Sequence, residues 1–315
     1  MLLLCLILSL DSLLLRGIEL SYEESYAEAE AVFFELSDRD PDDPAPYFFL
    51  SSLYTAYMSD FETDSLEDKF IACVDTTLET GTRILEHGED AWAYVWRGGV
   101  LINRAYYRYE NGDILGMLED GTNAIRELNS ALAVDSTVYD AYIGIGIYDY
   151  INYRIRNAIP FMEGNGDWRK ELEIASDSAR FLRVAAKNTL ALLLIEEGDW
   201  DGAIKITEEL LREYPYSRTF TWTLAKALYG KRDWKNAEEV YKRLIHLIEI
   251  GQPNAPYPLV CAMDKLAEVY SLTGRYDRCK IEASKILDIT EGLGDRYDEF
   301  RERARSFLVK ANEDR

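Results

Sequence analysis

The chain has 315 residues, with 57 acidic side chains against 35 basic ones and a formal net charge of −22. A surface that acidic repels phosphates rather than neutralising them, which argues against nucleic acid as a partner. Only two histidines are present, His87 and His246, and the sequence holds no phosphate loop, Cys-x-x-Cys or His-Glu-x-x-His, so a metal site, a Ser-His-acid triad and a bound cofactor are not expected.

Residues 1–9 are apolar and too short to span a bilayer, so no integral membrane span is expected there. They fit the hydrophobic part of a secretory signal, although no Lys or Arg precedes them, and equally an extension of the first helix. Export and cytoplasmic retention both stay open. Residues 1–90 hold 21 acidic and 4 basic side chains. A basic partner would be steered to this N-terminal third, while a solvated acidic face would serve solubility alone.

A first helical pair spans 10–43 and ends at Pro41. The run Asp-Arg-Asp-Pro-Asp-Asp-Pro lacks the Gly turn and terminal Glu of a calcium loop and suits a helix stop followed by a helix start. Residues 44–183 read as expanded, irregular helical pairs: an aromatic-rich helix from Pro46 to Met58, a longer one from about Asp64 to Glu86, then a helix with Arg97, Arg104 and Arg108 on one face. Trp92, Trp96, Tyr106, Tyr107 and Tyr109 accompany those arginines. The functional reading is a basic, aromatic groove gripping a carboxylate-bearing segment; the structural one is that the arginines pair with acids of the neighbouring unit such as Asp140 and Asp149. Gly144 and Gly146, in an otherwise apolar helix, predict close helix contact. Asp149 lies between tyrosines and needs a partner, one of those arginines or Arg154. Asn157 to Gly166 reads as an ordered loop.

From 184 to 293 the pattern becomes regular. Trp200 follows Gly-Asp and precedes Ala203 by three residues; Trp234 follows Arg-Asp and precedes Ala237 by three, a period of 34 residues. Gly274, Tyr276 and Cys279 repeat the motif after a proline-rich insertion, Gly251 to Pro258, and Gly17, Leu20, Tyr26, Ala29, Phe33 and Pro41 carry it early in the chain. A fixed aromatic and a fixed small residue at this period mean stacked helical hairpins, each needing its neighbour as a lid. Residues 294–315 form a capping helix with Tyr297, Phe300, Ala304, Phe307 and Leu308 on its inner face. Of the four cysteines, Cys5, Cys73, Cys261 and Cys279, the last two are placed too far apart to bridge.

These residues resemble the tetratricopeptide repeat. The resemblance implies an all-α fold, a right-handed α-solenoid of about seven helix-turn-helix pairs plus the capping helix, and a non-catalytic scaffold that binds a peptide or helix on its concave face. The repeat frame puts Asn188 and Leu192, then Trp222, Lys226 and Tyr229, then Asp264, Glu268 and Ser271 on that face. The carboxylate clamp of co-chaperone members is not reproduced, since Leu192, Thr219 and Thr223 stand where its polar and basic residues would be. The alternative is a small-ligand or enzymatic pocket in the expanded pairs around Arg97, Arg104, Arg108 and Asp149.

Overall fold

A computed structural model describes residues 10–157 and 167–313. Among them are fifteen α-helices and no strand. They run as seven consecutive pairs: α1 Leu10–Tyr22 with α2 Tyr26–Arg39, α3 Pro44–Phe61 with α4 Glu67–His87, α5 Ala91–Glu110 with α6 Ile114–Val134, α7 Ala141–Asn157 with α8 Trp168–Ser178, α9 Arg183–Glu196 with α10 Trp200–Glu213, α11 Arg218–Gly230 with α12 Trp234–Gly251, and α13 Pro256–Leu272 with α14 Tyr276–Thr290. A last helix, α15 Asp298–Glu313, follows a short turn. Among the described residues no helix is long and apolar enough to cross a membrane. The apolar run 1–9, with Cys5, and residues 158–166 of the expected loop lie outside the described residues.

One turn is written five times. Glu24, Gly112, Gly198, Arg232 and Gly274 all adopt a left-handed backbone, with φ of 60°, 77°, 79°, 62° and 70°. In each case the next residue, Ser25, Asp113, Asp199, Asp233 or Arg275, sends its N–H back to the carbonyl five residues earlier, at 2.8–3.0 Å. This is the six-to-one closure that ends a helix with a left-handed residue and satisfies its orphan carbonyls. The same residue then opens the second helix: Asp113, Asp199 and Asp233 accept from the N–H three residues on, at 2.9, 3.1 and 3.3 Å. The Gly-Asp-Trp signature is therefore a stop and a start in consecutive residues.

The small positions follow from the crossing this turn imposes. Ala29, Ala203, Ala237 and Cys279, each three residues into a second helix, are all buried. Trp200 lies over Gly230 at the end of α11, where an added Cβ would run into the indole, and Trp234 meets Tyr229 edge-on at 5.4 Å. Gly144 and Gly146 are close contacts as expected, against Leu128 and against Leu172 with the Trp168 carbonyl.

The chain divides into two compact units, residues up to Met58 with Asp64–Leu190, and Ser59–Thr63 with Ala191–Arg315. The first is centred on aromatic rings. Phe33 stacks on Phe49, which meets Trp96; Trp92 stacks on Trp96 at 5.1 Å, and Phe181 packs against Trp92 at 5.2 Å and Trp96 at 5.7 Å. Asp140 places Phe181. Its buried carboxylate accepts the backbone N–H groups of Arg180, Phe181 and Leu182 at 2.7, 2.8 and 2.8 Å. The partner of Asp140 is thus the turn entering α9, not an arginine of α5: three convergent N–H donors offset its desolvation without any cation.

In the second unit, Arg218 pairs with Asp60 at 2.5 Å with both side chains nearly buried. Glu238 clasps α12 to α14: its carboxylate meets Arg275, Lys242 at 2.5 Å, Arg278 at 3.3 Å and the Tyr270 hydroxyl at 3.1 Å. Burial works to raise its pKa, but hydrogen bonds from Lys242, Arg275 and Tyr270 outweigh it and hold the group at about 2.

Two stability predictions follow from these contacts. Arg232→Gly removes a left-handed strain of about 1 kcal/mol and raises the urea midpoint, while Gly198→Ala introduces one and lowers it. Because the folded pKa of Glu238 lies below its unfolded value, its stabilisation is complete above about pH 4.5 and lost as pH falls towards 2. Glu238→Gln is therefore less stable than wild type at pH 7, on the order of 2 kcal/mol, and the two melt alike near pH 2.

Candidate functional site

The arginine stripe lies on α5. Asp90 caps that helix by accepting the Ala93 N–H at 2.8 Å, and the helical spacing then turns Arg97, Arg104 and Arg108 towards α6. There each finds an acid of its own hairpin. Arg104 holds Asp120 through two bonds, at 2.8 and 2.7 Å. Arg108 reaches Asp120 at 3.0 Å and the Gly116 carbonyl at 3.0 Å. Arg97 holds Glu127 at 3.1 and 2.8 Å and also meets Thr82. Asp120 is 1 % exposed, while Arg104 and Arg108 keep about a quarter of their side chains open. The expected partners Asp140 and Asp149 are corrected to Asp120 and Glu127, which lie two turns apart on one face of α6. Trp92 and Trp96 belong to the aromatic core described above, and Tyr107 packs on Phe70 at 5.1 Å. Only Tyr106 and Tyr109 of that set are exposed. A groove or pocket built on these arginines would need a guanidinium with charge to spare, and the three are answered by Asp120, Glu127 and, 3.7 Å from Arg108, Asp113.

Asp149 is likewise corrected. None of the α5 arginines is its partner; its side chain bonds to Glu171 of α8, and Arg154 instead donates to the Tyr150 hydroxyl at 2.9 Å. Two carboxyl groups sharing a part-buried site cannot both ionise at ordinary cost. Burial, with the charges of Asp149 and Asp167, raises Glu171 to about 7, and burial with Asp167 also raises Asp149. Among the described residues no three His, Cys, Asp or Glu side chains are grouped to hold a metal ion, and Cys73, Cys261 and Cys279 are free.

The residues placed on the peptide-facing side of the first helices divide. Asn188 and Leu192 are half-buried on α9. Trp222 is half-buried on α11 with its ring edge-on to Tyr241 at 6.3 Å, and Lys226 is exposed one turn on. Tyr229, Asp264 and Glu268 come together. The Tyr229 hydroxyl donates to Glu268; burial first, then that carboxylate, raises the phenol well above its usual range. Lys265 bonds Glu268 at 3.0 Å and lies 5.0 Å from the centre of the Tyr229 ring. Asp264 and Ser271, expected on an open face, are buried instead; α15 packs against α13 at Asp264. From α15 comes the residue that sequence reasoning did not find: Arg303, which bonds Asp264 at 3.0 Å and Glu268 at 2.8 Å. Its only signal in the sequence was a charge four residues before Phe307 on a helix read as a cap.

Residues 189–217 match the family model described as tetratricopeptide repeat. A TPR repeat-containing protein of Methanocaldococcus jannaschii is 24 % identical over 215 residues, 67 % of this chain and 35 % of that protein; the chain spans about a third of that relative's length. Among solved structures, the C-terminal part of a TPR repeat-containing protein from Cytophaga hutchinsonii is 17 % identical, covering 91 % of this chain and 98 % of that one, with a TM-score of 0.47. A thermophilic TPR protein of Thermus thermophilus is 17 % identical over 70 % of this chain and all of that one, with a TM-score of 0.45. The stretch 189–217, which spans the end of α9, its turn and α10, is thus similar to a tetratricopeptide repeat.

The stripe makes a direct prediction. Arg104→Met leaves Asp120 buried with part of its charge uncompensated and destabilises by about 3–5 kcal/mol, whereas Arg104→Met with Asp120→Leu recovers most of the loss, as read by urea denaturation.

Proposed function

We propose that this protein is a non-catalytic interaction scaffold whose binding surface is the first-helix face of the second unit, made by α11, α13 and α15, and that its partner is an extended peptide or a helix. Tetratricopeptide repeats serve protein interaction generally. The observation that carries the finer assignment is that Trp222, Lys226, Tyr229 and Glu268 keep part of their surface open along that face. Interfaces are anchored by aromatic side chains backed by packing, and Trp222 is backed by Tyr241. The arginine stripe of the first unit, by contrast, spends its hydrogen bonds on α6. Leu192 of α9, the first of these positions in the second unit, is half-buried as well.

Selection of a displayed random dodecapeptide library on the full chain, with fluorescence anisotropy of the peptides recovered, tests this. Trp222→Ala is expected to weaken the best peptide at least about tenfold, as removal of an aromatic anchor does. Equal binding to wild type and Trp222→Ala would place the surface elsewhere.

A further inference from the structure

We propose that Asp264, flanked by Glu268 and the Tyr229 ring, is the seat for a basic side chain of the bound polypeptide, an arginine or a lysine. This rests on the first-helix face of the second unit being the peptide-binding surface, and it specifies the chemistry that surface selects.

The Asp264 carboxylate is 1 % exposed. One oxygen takes Arg303 at 3.0 Å; the other, Oδ1, is buried with no donor. A buried acceptor without a partner costs about 1–3 kcal/mol, and more when charged. Arg303 serves one oxygen only: its Nη2 lies 3.0 Å from Asp264 Oδ2 and 2.8 Å from Glu268. Glu299 adds a third carboxylate to the field around Asp264, against Lys265 and Arg303 as the two cations. The cluster is therefore one cation short. The pKa of Asp264 accords with that: burial raises it to about 6 in spite of Arg303 and Lys265.

Three kinds of incoming group can be compared. An acidic side chain would meet surplus carboxylate and no free donor. An apolar one would leave Oδ1 as it is. A guanidinium or ammonium gives Oδ1 its missing N–H, balances the surplus charge and finds a ring face that already accepts one cation, since Lys265 lies 5.0 Å from the Tyr229 centroid. Oδ1 is out of reach of solvent, so a side chain must yield to admit the group. Arg303 is the one placed to do so: it is one-third exposed, and it keeps its bond to Glu268 when it releases Asp264. Arg303 is thus an internal occupant that competes with the partner's basic residue.

The test uses the peptides recovered from the dodecapeptide library on the full chain. The strongest binders are expected to contain arginine or lysine. Replacing that arginine by citrulline, or that lysine by glutamine, should weaken binding about tenfold to wild type and less than about twofold to Asp264→Asn, the pattern of two directly coupled groups. Arg303→Gln, which removes the competitor, should bind the basic peptide several-fold more tightly and the neutral one unchanged. Binders without basic residues, a neutralisation penalty that is the same in Asp264→Asn, or an Arg303→Gln variant that binds the basic peptide no better, would each overturn the assignment. Those results would leave peptide binding itself intact if Trp222→Ala still weakens it; recovery of no peptide at all would remove both.

Discussion

The constraint on which the rest depends is a reversal of the backbone performed in two residues. A helix can end sharply only if one residue turns left-handed, so that the following N–H reaches back over the last turn. Here that following residue is also the cap of the next helix. No slack remains between the two helices of a hairpin, so the second helix starts at a fixed rotation. In four of the five hairpins that rotation puts residue four of the second helix against the first helix, and Ala29, Ala203, Ala237 and Cys279 are small for that reason. It also puts the opening aromatic at the seam, where Trp200 covers Gly230. Hairpins of this kind bury one side themselves and need a neighbour for the other.

The two units differ in how their polar groups are matched after the hairpins have formed. In the first unit the arginines of α5 are matched within their own hairpin, and Asp140 is spent on backbone N–H groups that bring Phe181 to the aromatic cluster. Such arrangements hold packing in one register and leave little for a ligand. In the second unit the balance is incomplete. Glu238 is over-supplied with donors, whereas Asp264 is under-supplied. The two groups show opposite pKa directions, about 2 and about 6, for that reason. An imbalance of the second kind persists only where the surrounding packing is strong enough to carry it.

Much of this was legible in the sequence, because the turn and the crossing are local. Gly-Asp-Trp at 198–200 and Arg-Asp-Trp at 232–234 state the stop, the cap and the seam within three letters, and Ala at 203 and 237 states the crossing. Gly144 and Gly146 announced close contact for the same local reason. The pairing of charges was not legible. With 57 acids in the chain, several lay at helical spacings that could have answered Arg104, and which one does depends on how α6 is rotated against α5. Asp140 and Asp149 were plausible by type, but the first is claimed by three backbone N–H groups and the second by Glu171. Arg303 was hidden because its partners, Asp264 and Glu268, lie a whole hairpin away.

The most direct measurement is amide hydrogen exchange of the full chain, resolved at the residues that follow the left-handed positions. The account predicts that Ser25, Asp113, Asp199, Asp233 and Arg275 exchange slowly, as amides in the body of their helices do, since each N–H is held by a carbonyl five residues back. Fast exchange at Asp199 and Asp233, at the rate of exposed loop amides, would contradict it, because hairpins closed by an open turn have no fixed rotation and no reason to keep Ala203 and Ala237 small.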